Sequence, residues 1–171
     1  MQKLNILILL FLFSLKTNAQ NEEIKSTNSF LITGKVKEEK TITLDDLKNY
    51  PIIDLKDINT SCSPKREEKS KDVKAVLLKS ILDDVAFDYK KSYMLNQYYF
   101  LFVAVDDYKM VFSFSEIFNT EIGNNLYVVT ELEGKGLEDM NNRILLLSTK
   151  DIKGGSRNMK WLSKIVVQIA E

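Results

Sequence analysis

The sequence predicts an α+β fold: a mixed or antiparallel β-sheet system with two or three short helices. Three observations carry this reading. Runs of β-branched and aromatic residues outnumber helical stretches, charged or glycine-containing turns separate neighbouring runs, and only one longer segment keeps its apolar residues near the helical period. The chain has 171 residues, 44% hydrophobic and 28% charged, with two Pro and six Gly, which is the composition of one folded domain rather than a low-complexity chain. Strands joined by hairpins, with few helices, belong to the α+β class.

Residues 1–19 stand apart from the fold. Lys3 supplies a positive start, Leu4 to Leu15 form a short apolar run, and Thr17-Asn18-Ala19 resembles a small-residue cleavage site, which together read as a Sec-type signal peptide. An uncleaved anchor is the alternative, but about twelve apolar residues fall short of the roughly twenty that span a bilayer core. No Cys follows the run and no Arg pair precedes it, which excludes lipoprotein and twin-arginine signals. Export to the periplasm or the exterior, with no membrane anchor after cleavage, is the expectation. Cleavage would leave 152 residues with 22 basic against 24 acidic side chains, a formal charge of −2.

Residues 20–29 are polar and aperiodic, a loose leader, so the domain is expected over 30–171. Residues 30–36 are β-prone, Lys37-Glu38-Glu39-Lys40 form a charged hairpin tip, and Thr41-Ile42-Thr43 return as a strand. Thr43 and Asp46 have capping-box spacing for a short helix that Pro51 ends. A strand follows over 52–59, with Ile53, Leu55 and Asp57 on one face. Residues 60–72, centred on Pro64 and dense in charge, read as an exposed loop. Val76, Leu77, Ile81, Leu82 and Val85 predict an amphipathic helix over 75–85. Residues 98–105 are almost continuously apolar and suit a central strand. Asp106-Asp107 turns the chain into a return strand over 108–114, and 115–118 form one helical turn. Strands at 126–132, 143–147 and 161–170 complete the chain, with turns at 133–136 and Gly154-Gly155.

Composition excludes several functions. The 24 Lys and Arg balance 24 Asp and Glu, so no bulk charge attracts nucleic acid. With no His in the chain, histidine triads, zincins and facial-triad iron sites are ruled out. One Cys, Cys62, cannot form an internal disulfide or a multi-thiolate metal site.

The order of elements and the residues at their turns resemble the molybdopterin-binding oxidoreductase domain of the sulfite oxidase type. Ile32-Thr33-Gly34-Lys35-Val36, Thr43-Leu44-Asp45-Asp46-Leu47 and Tyr50-Pro51 look like that family's first strand, its "sL-x-dL" turn and its closing "lP". Residues 75–82 look like its "GvpL-x-x-lL" helix, Asp106-Asp107-Tyr108 stand for its "DGY", and Phe114-Ser115-Glu116-Ile117 match its "l-x-E-l". Residues 157–165 resemble its "rwvk-x-l-x-x-I" close. The resemblance covers about 31–169. It implies a dithiolene-bound molybdenum and two-electron chemistry, with Cys62 at the place of the metal-ligating thiolate. It also implies basic groups for the cofactor's phosphate, for which Arg157 with Lys160, beside Gly154-Gly155, are the candidates. Each has a plainer alternative: a free Cys, and solvated loop charges. The chain departs from the pattern at Asp107 and Ala75, where the family carries Gly, and after Cys62.

Other chemistry-bearing residues have structural readings. Tyr93, Tyr98, Tyr99, Phe100 and Phe102 can stack a ring but fit a core strand, and Trp161 fits a core anchor. Asp83-Asp84 and Asp106-Asp107 fit a helix end and a turn. No residue is identified as a catalytic acid or base. Two functions remain. The favoured one is an exported module that keeps the fold without the cofactor and binds an unknown protein or small-molecule partner. The alternative is an active molybdopterin-dependent oxidoreductase with Cys62 on the metal. The absence of His, the scarcity of Arg and a Sec signal, which passes an unfolded chain, favour the first.

Overall fold

The computed structural model describes residues 26–61, 70–153 and 155–170. The expected signal at 1–19, Cys62 and Arg66 lie outside them.

Two sheets make up the domain. In the first, β2 (Lys40–Thr43), β1 (Ser29–Gly34), β10 (Leu162–Ile169), β5 (Tyr98–Ala104) and β6 (Lys109–Ser113) lie in that order. Its β1–β10 pair is parallel and the others are antiparallel. The second holds β3 (Ile52–Ile58), β4 (Lys71–Leu77), β7 (Leu126–Leu132) and the two-residue β8 (Lys135–Gly136), with β9 (Leu146–Ser148) also paired to β7. All of its pairings are antiparallel. Among the described residues three short α-helices punctuate the strands: α1 (Leu44–Leu47), α2 (Leu78–Asp83) and α3 (Phe114–Asn119). The α+β class and its mixed and antiparallel sheets are as the sequence predicts. None of these helices is long and apolar enough to cross a membrane.

Local chemistry explains where the helices begin. Thr43 accepts from the Asp46 N–H while Asp46 accepts from the Thr43 N–H, and Ser113 and Glu116 repeat this reciprocal cap at α3. Turns follow the same logic. Glu133 and Gly134 both have positive φ, at 52° and 78°, the geometry of a two-residue hairpin that matches strand twist. Asp107 adopts φ 62° in the β5–β6 turn, the left-handed conformation for which Gly is the relaxed residue and Asp a tolerated one.

The main core lies between the sheets. Phe30, Ile32, Phe100, Phe102, Phe112, Ile165 and Val167 of the first sheet meet Val76, Leu126, Val128 and Leu146 of the second, with Leu78, Ile81 and Leu82 of α2 between them. A smaller core on the second sheet's other face holds Val73, Ala75, Tyr127, Val129, Met140, Leu145 and Leu147. Both faces of β7 are therefore covered, which is why Leu126-Tyr127-Val128-Val129 is apolar without alternation.

Several expectations are corrected. The helix expected over 75–85 starts only at Leu78, because Val73, Ala75 and Leu77 pair in β4 between β3 and β7; pairing on both edges outweighs helical periodicity. The loop expected over 60–72 gives up Lys71 and Asp72 to β4, and Thr60 and Ser61 are buried. In β3 a shift of register at Asp57, whose φ is 54°, puts Ile58 rather than Asp57 with Ile53 and Leu55 against the small core. Trp161 is half-buried at φ 57°, its indole N–H donating to the Asn141 carbonyl, and the core contact falls to Leu162. Tyr93 is 64% exposed, whereas Tyr98, Phe100 and Phe102 are core residues.

Candidate functional site

The loop between β9 and β10 carries Arg157 and Lys160. It is pinned to the body of the protein at several points. Met159 and Leu146 exchange backbone hydrogen bonds at 2.9 and 2.8 Å, and the Tyr108 hydroxyl donates to the Ser156 carbonyl at 3.2 Å. These contacts hold Arg157 against the start of α3.

The Arg157 guanidinium is committed to two carboxylates. Its Nε donates to Asp151 at 3.0 and 3.2 Å, its Nη2 to Asp151 at 2.5 Å, and its Nη1 to Glu116 Oε1 at 2.8 Å. Its Cζ lies 4.2 Å from the Phe112 ring centroid, a cation–π contact. The side chains of Arg157, Glu116 and Asp151 are 24%, 34% and 7% exposed. One cation against two carboxylates leaves this trio at a formal charge of −1.

The same hydrogen bonds govern the titration of Arg157 and Glu116. Those to Asp151, larger than the opposing cost of burial, and to Glu116 hold Arg157 above its usual range. Burial alone would raise Glu116. Together, however, the Ser113 backbone N–H, Arg157 and the Ser113 side chain outweigh it and hold the carboxyl below its ordinary value. Glu116 thus serves twice, as the third residue of the α3 cap and as a partner of Arg157.

Lys160, the other predicted phosphate contact, is half-buried on the same loop. Arg143 is held elsewhere: it donates to Asn28 Oδ1 at 2.9 and 3.0 Å and to the Glu138 and Met140 carbonyls at 3.0 and 3.2 Å. Arg157 and Arg143 are each occupied with different groups. Among the described residues, no group of three or more carboxylates or thiols is arranged to hold a metal ion.

Sequence reasoning missed a buried polar cluster beside this loop. Asn158 Nδ2 donates to the Ser61 carbonyl at 2.7 Å, and the Ser148 N–H donates to Asn158 Oδ1 at 2.9 Å, so one amide ties the loop, β9 and residue 61 together. Thr60, Ser61, Ser148 and Asn158 are all buried, and among the described residues Ser148 Oγ has no hydrogen-bond partner. Nothing in a single sequence marks Asn158, because its partners lie 10 and 97 residues away.

No family model and no curated protein matches the chain. Among solved structures, the sulfane dehydrogenase SoxCD from Paracoccus pantotrophus is similar in fold, with a TM-score of 0.57 and 12% sequence identity. The match covers 81% of this chain but 37% of that one, so this chain corresponds to little more than a third of the dehydrogenase's length. At that identity the likeness is one of fold.

Proposed function

We propose that the chain is an exported protein whose sulfite-oxidase-type fold has been kept without the molybdopterin cofactor and serves as a binding or accessory module. The observation that carries this reading is the commitment of Arg157. A bound phosphate dianion needs convergent, unpaired donors. The candidate cation instead spends its guanidinium on Asp151 and Glu116, and the trio's net negative charge repels an anion. Arg143, donating to Asn28 and to backbone carbonyls, adds nothing to that place. The two arginines therefore offer no free donors of the kind that the cofactor's phosphate needs, which supports the reading. The likeness to a sulfane dehydrogenase supports the fold on which the reading rests.

The reading is tested by metal and pterin analysis of the full chain purified from its own host. Folded protein without stoichiometric molybdenum is expected, and a molybdenum-loaded protein overturns the reading. One observation favours the alternative, an active oxidoreductase with Cys62 on the metal. The buried cluster of Thr60, Ser61, Ser148 and Asn158 gathers polar groups around the two residues that immediately precede Cys62, where an apolar filling would be cheaper. If that alternative holds, Cys62→Ser abolishes activity and metal content while leaving the fold intact by circular dichroism.

A further inference from the structure

Helix α3 has a second working face. Glu116 and Phe118 lie about 200° apart around a helix at roughly 100° per residue, so Phe118 points away from the Arg157 trio. It meets a cavity of about 400 Å³ bounded by α2, the 85–89 segment and the 3₁₀ turn Ser92–Gln97. Leu82 and Val85 form a buried apolar floor, and Phe87, Leu95 and Phe118 are half-buried walls. Phe118 stacks on Phe114 with centroids 4.4 Å apart and stands edge-on to Phe87 at 6.0 Å and 83°. These rings fix one another while leaving apolar surface open to the cavity. Tyr89, 43% exposed, sits at the rim.

Two charged residues line this cavity, Lys37 and Asp83. They come from separate parts of the chain and have opposite signs. Among the described residues neither forms an ion pair, whereas Lys40, Asp84 and Lys79 nearby do have partners. Lys40 pairs with Asp84 at 3.7 Å, Asp84 also accepts from the Tyr50 hydroxyl, and Lys79 donates to the Phe118 carbonyl while lying 5.8 Å from its ring. The lining is neutral in sum, so a ligand of one net charge meets one attractive and one repulsive group. A ligand carrying both charges meets two attractive ones.

We propose that this cavity binds a small zwitterion with an apolar, preferably aromatic, side chain, which is the chemistry of a free hydrophobic α-amino acid. The ring packs on the cavity-facing sides of Phe87 and Phe118, where edge-to-face contact is available. The ammonium is held by Asp83 and the carboxylate by Lys37. This goes beyond the accessory reading and does not depend on it, since molybdenum content bears on the Arg157 side of the helix alone.

The test is calorimetric titration of the full chain with L-phenylalanine, phenethylamine, 3-phenylpropionate and N-acetyl-phenylalaninamide. L-phenylalanine should bind tightest, with phenethylamine and 3-phenylpropionate weaker by about tenfold each, the worth of one charge-assisted contact, and N-acetyl-phenylalaninamide, which lacks both charges, by about a hundredfold. Asp83→Asn and Lys37→Gln alter exposed side chains and should each weaken L-phenylalanine by a similar factor. Ala86→Trp, at an exposed residue of the lining, should fill the space and abolish binding. Circular dichroism checks that each variant folds. No heat with L-phenylalanine, equal affinity for the analogues, or unchanged affinity in both charge variants would overturn the proposal.

Discussion

Replacing Arg157 by Met removes the guanidinium but keeps an unbranched side chain over Phe112, so the change isolates the ionic part of the trio. Asp151 is only 7% exposed, and removing its partner leaves a carboxylate with little solvent to replace the lost bonds. Breaking a fully buried pair costs about 3–5 kcal/mol. Arg157 and Glu116 retain 24% and 34% exposure, which moves the expectation to about 2–3 kcal/mol. For a domain of this size that is a fall of roughly 5–10 °C in melting temperature, measurable by circular dichroism. The Arg157→Met, Asp151→Asn double variant should regain more than half of the loss, because the stranded charge goes with its partner. A second arm addresses the proposed function: inorganic phosphate should raise the melting temperature of the parent and of Arg157→Met by the same amount, the general effect of an excluded salt. A drop under about 2 °C in the single variant, or a phosphate-dependent rise seen in the parent and absent from Arg157→Met, would refute the reasoning.

Glu116 is held below the ordinary carboxylate value of 4.5 in the folded protein. Its contribution to stability is therefore full above that pH and lost as pH falls through the lowered folded value; Glu116→Gln should be less stable at neutral pH and show a shallower loss on acidification. Tyr50 has the opposite sign, since burial and then its bond to Asp84 push the phenol up to about 12 from 10.0. Its contribution is complete below pH 10 and lost as pH rises toward 12, about 1–2 kcal/mol after solvent screening, and Tyr50→Phe should flatten the stability profile in that window. Gly34 has φ +95°, and a Cβ there would stand 2.2 Å from the Val167 carbonyl oxygen. Gly34→Ala should thus cost about 3 kcal/mol or more, whereas Gly134→Ala, at φ +78° with open space around it, should cost about 1 kcal/mol in chemical denaturation.

The sequence by itself determined the features that depend on neighbours in the chain. The cap Thr43/Asp46, the turn at Glu133-Gly134 and the apolar 126–132 strand follow from contacts within a few residues or from burial on both faces, whereas the like cap Ser113/Glu116 was not read although its signal is equally local. The class of fold was legible for the same reason, as an α+β domain declares itself through many local strand and turn signals. What required the tertiary structure depends on partners far away in sequence. Lys71–Leu77 is a strand because β3 and β7 satisfy both of its edges, even though part of it carries helical spacing. Arg157 was recognisable as a candidate anion contact from its place in a glycine-flanked loop. Its engagement is decided by Glu116, 41 residues away, and by a carboxylate at Asp151 that the fold turns inward. The Asn158 amide and the Phe87–Phe118 cavity were likewise silent in the sequence. A buried hydrogen bond across 97 residues, or a cavity lined by side chains from separate segments, has no local pattern; only the packing of the sheets and helices brings those groups within reach.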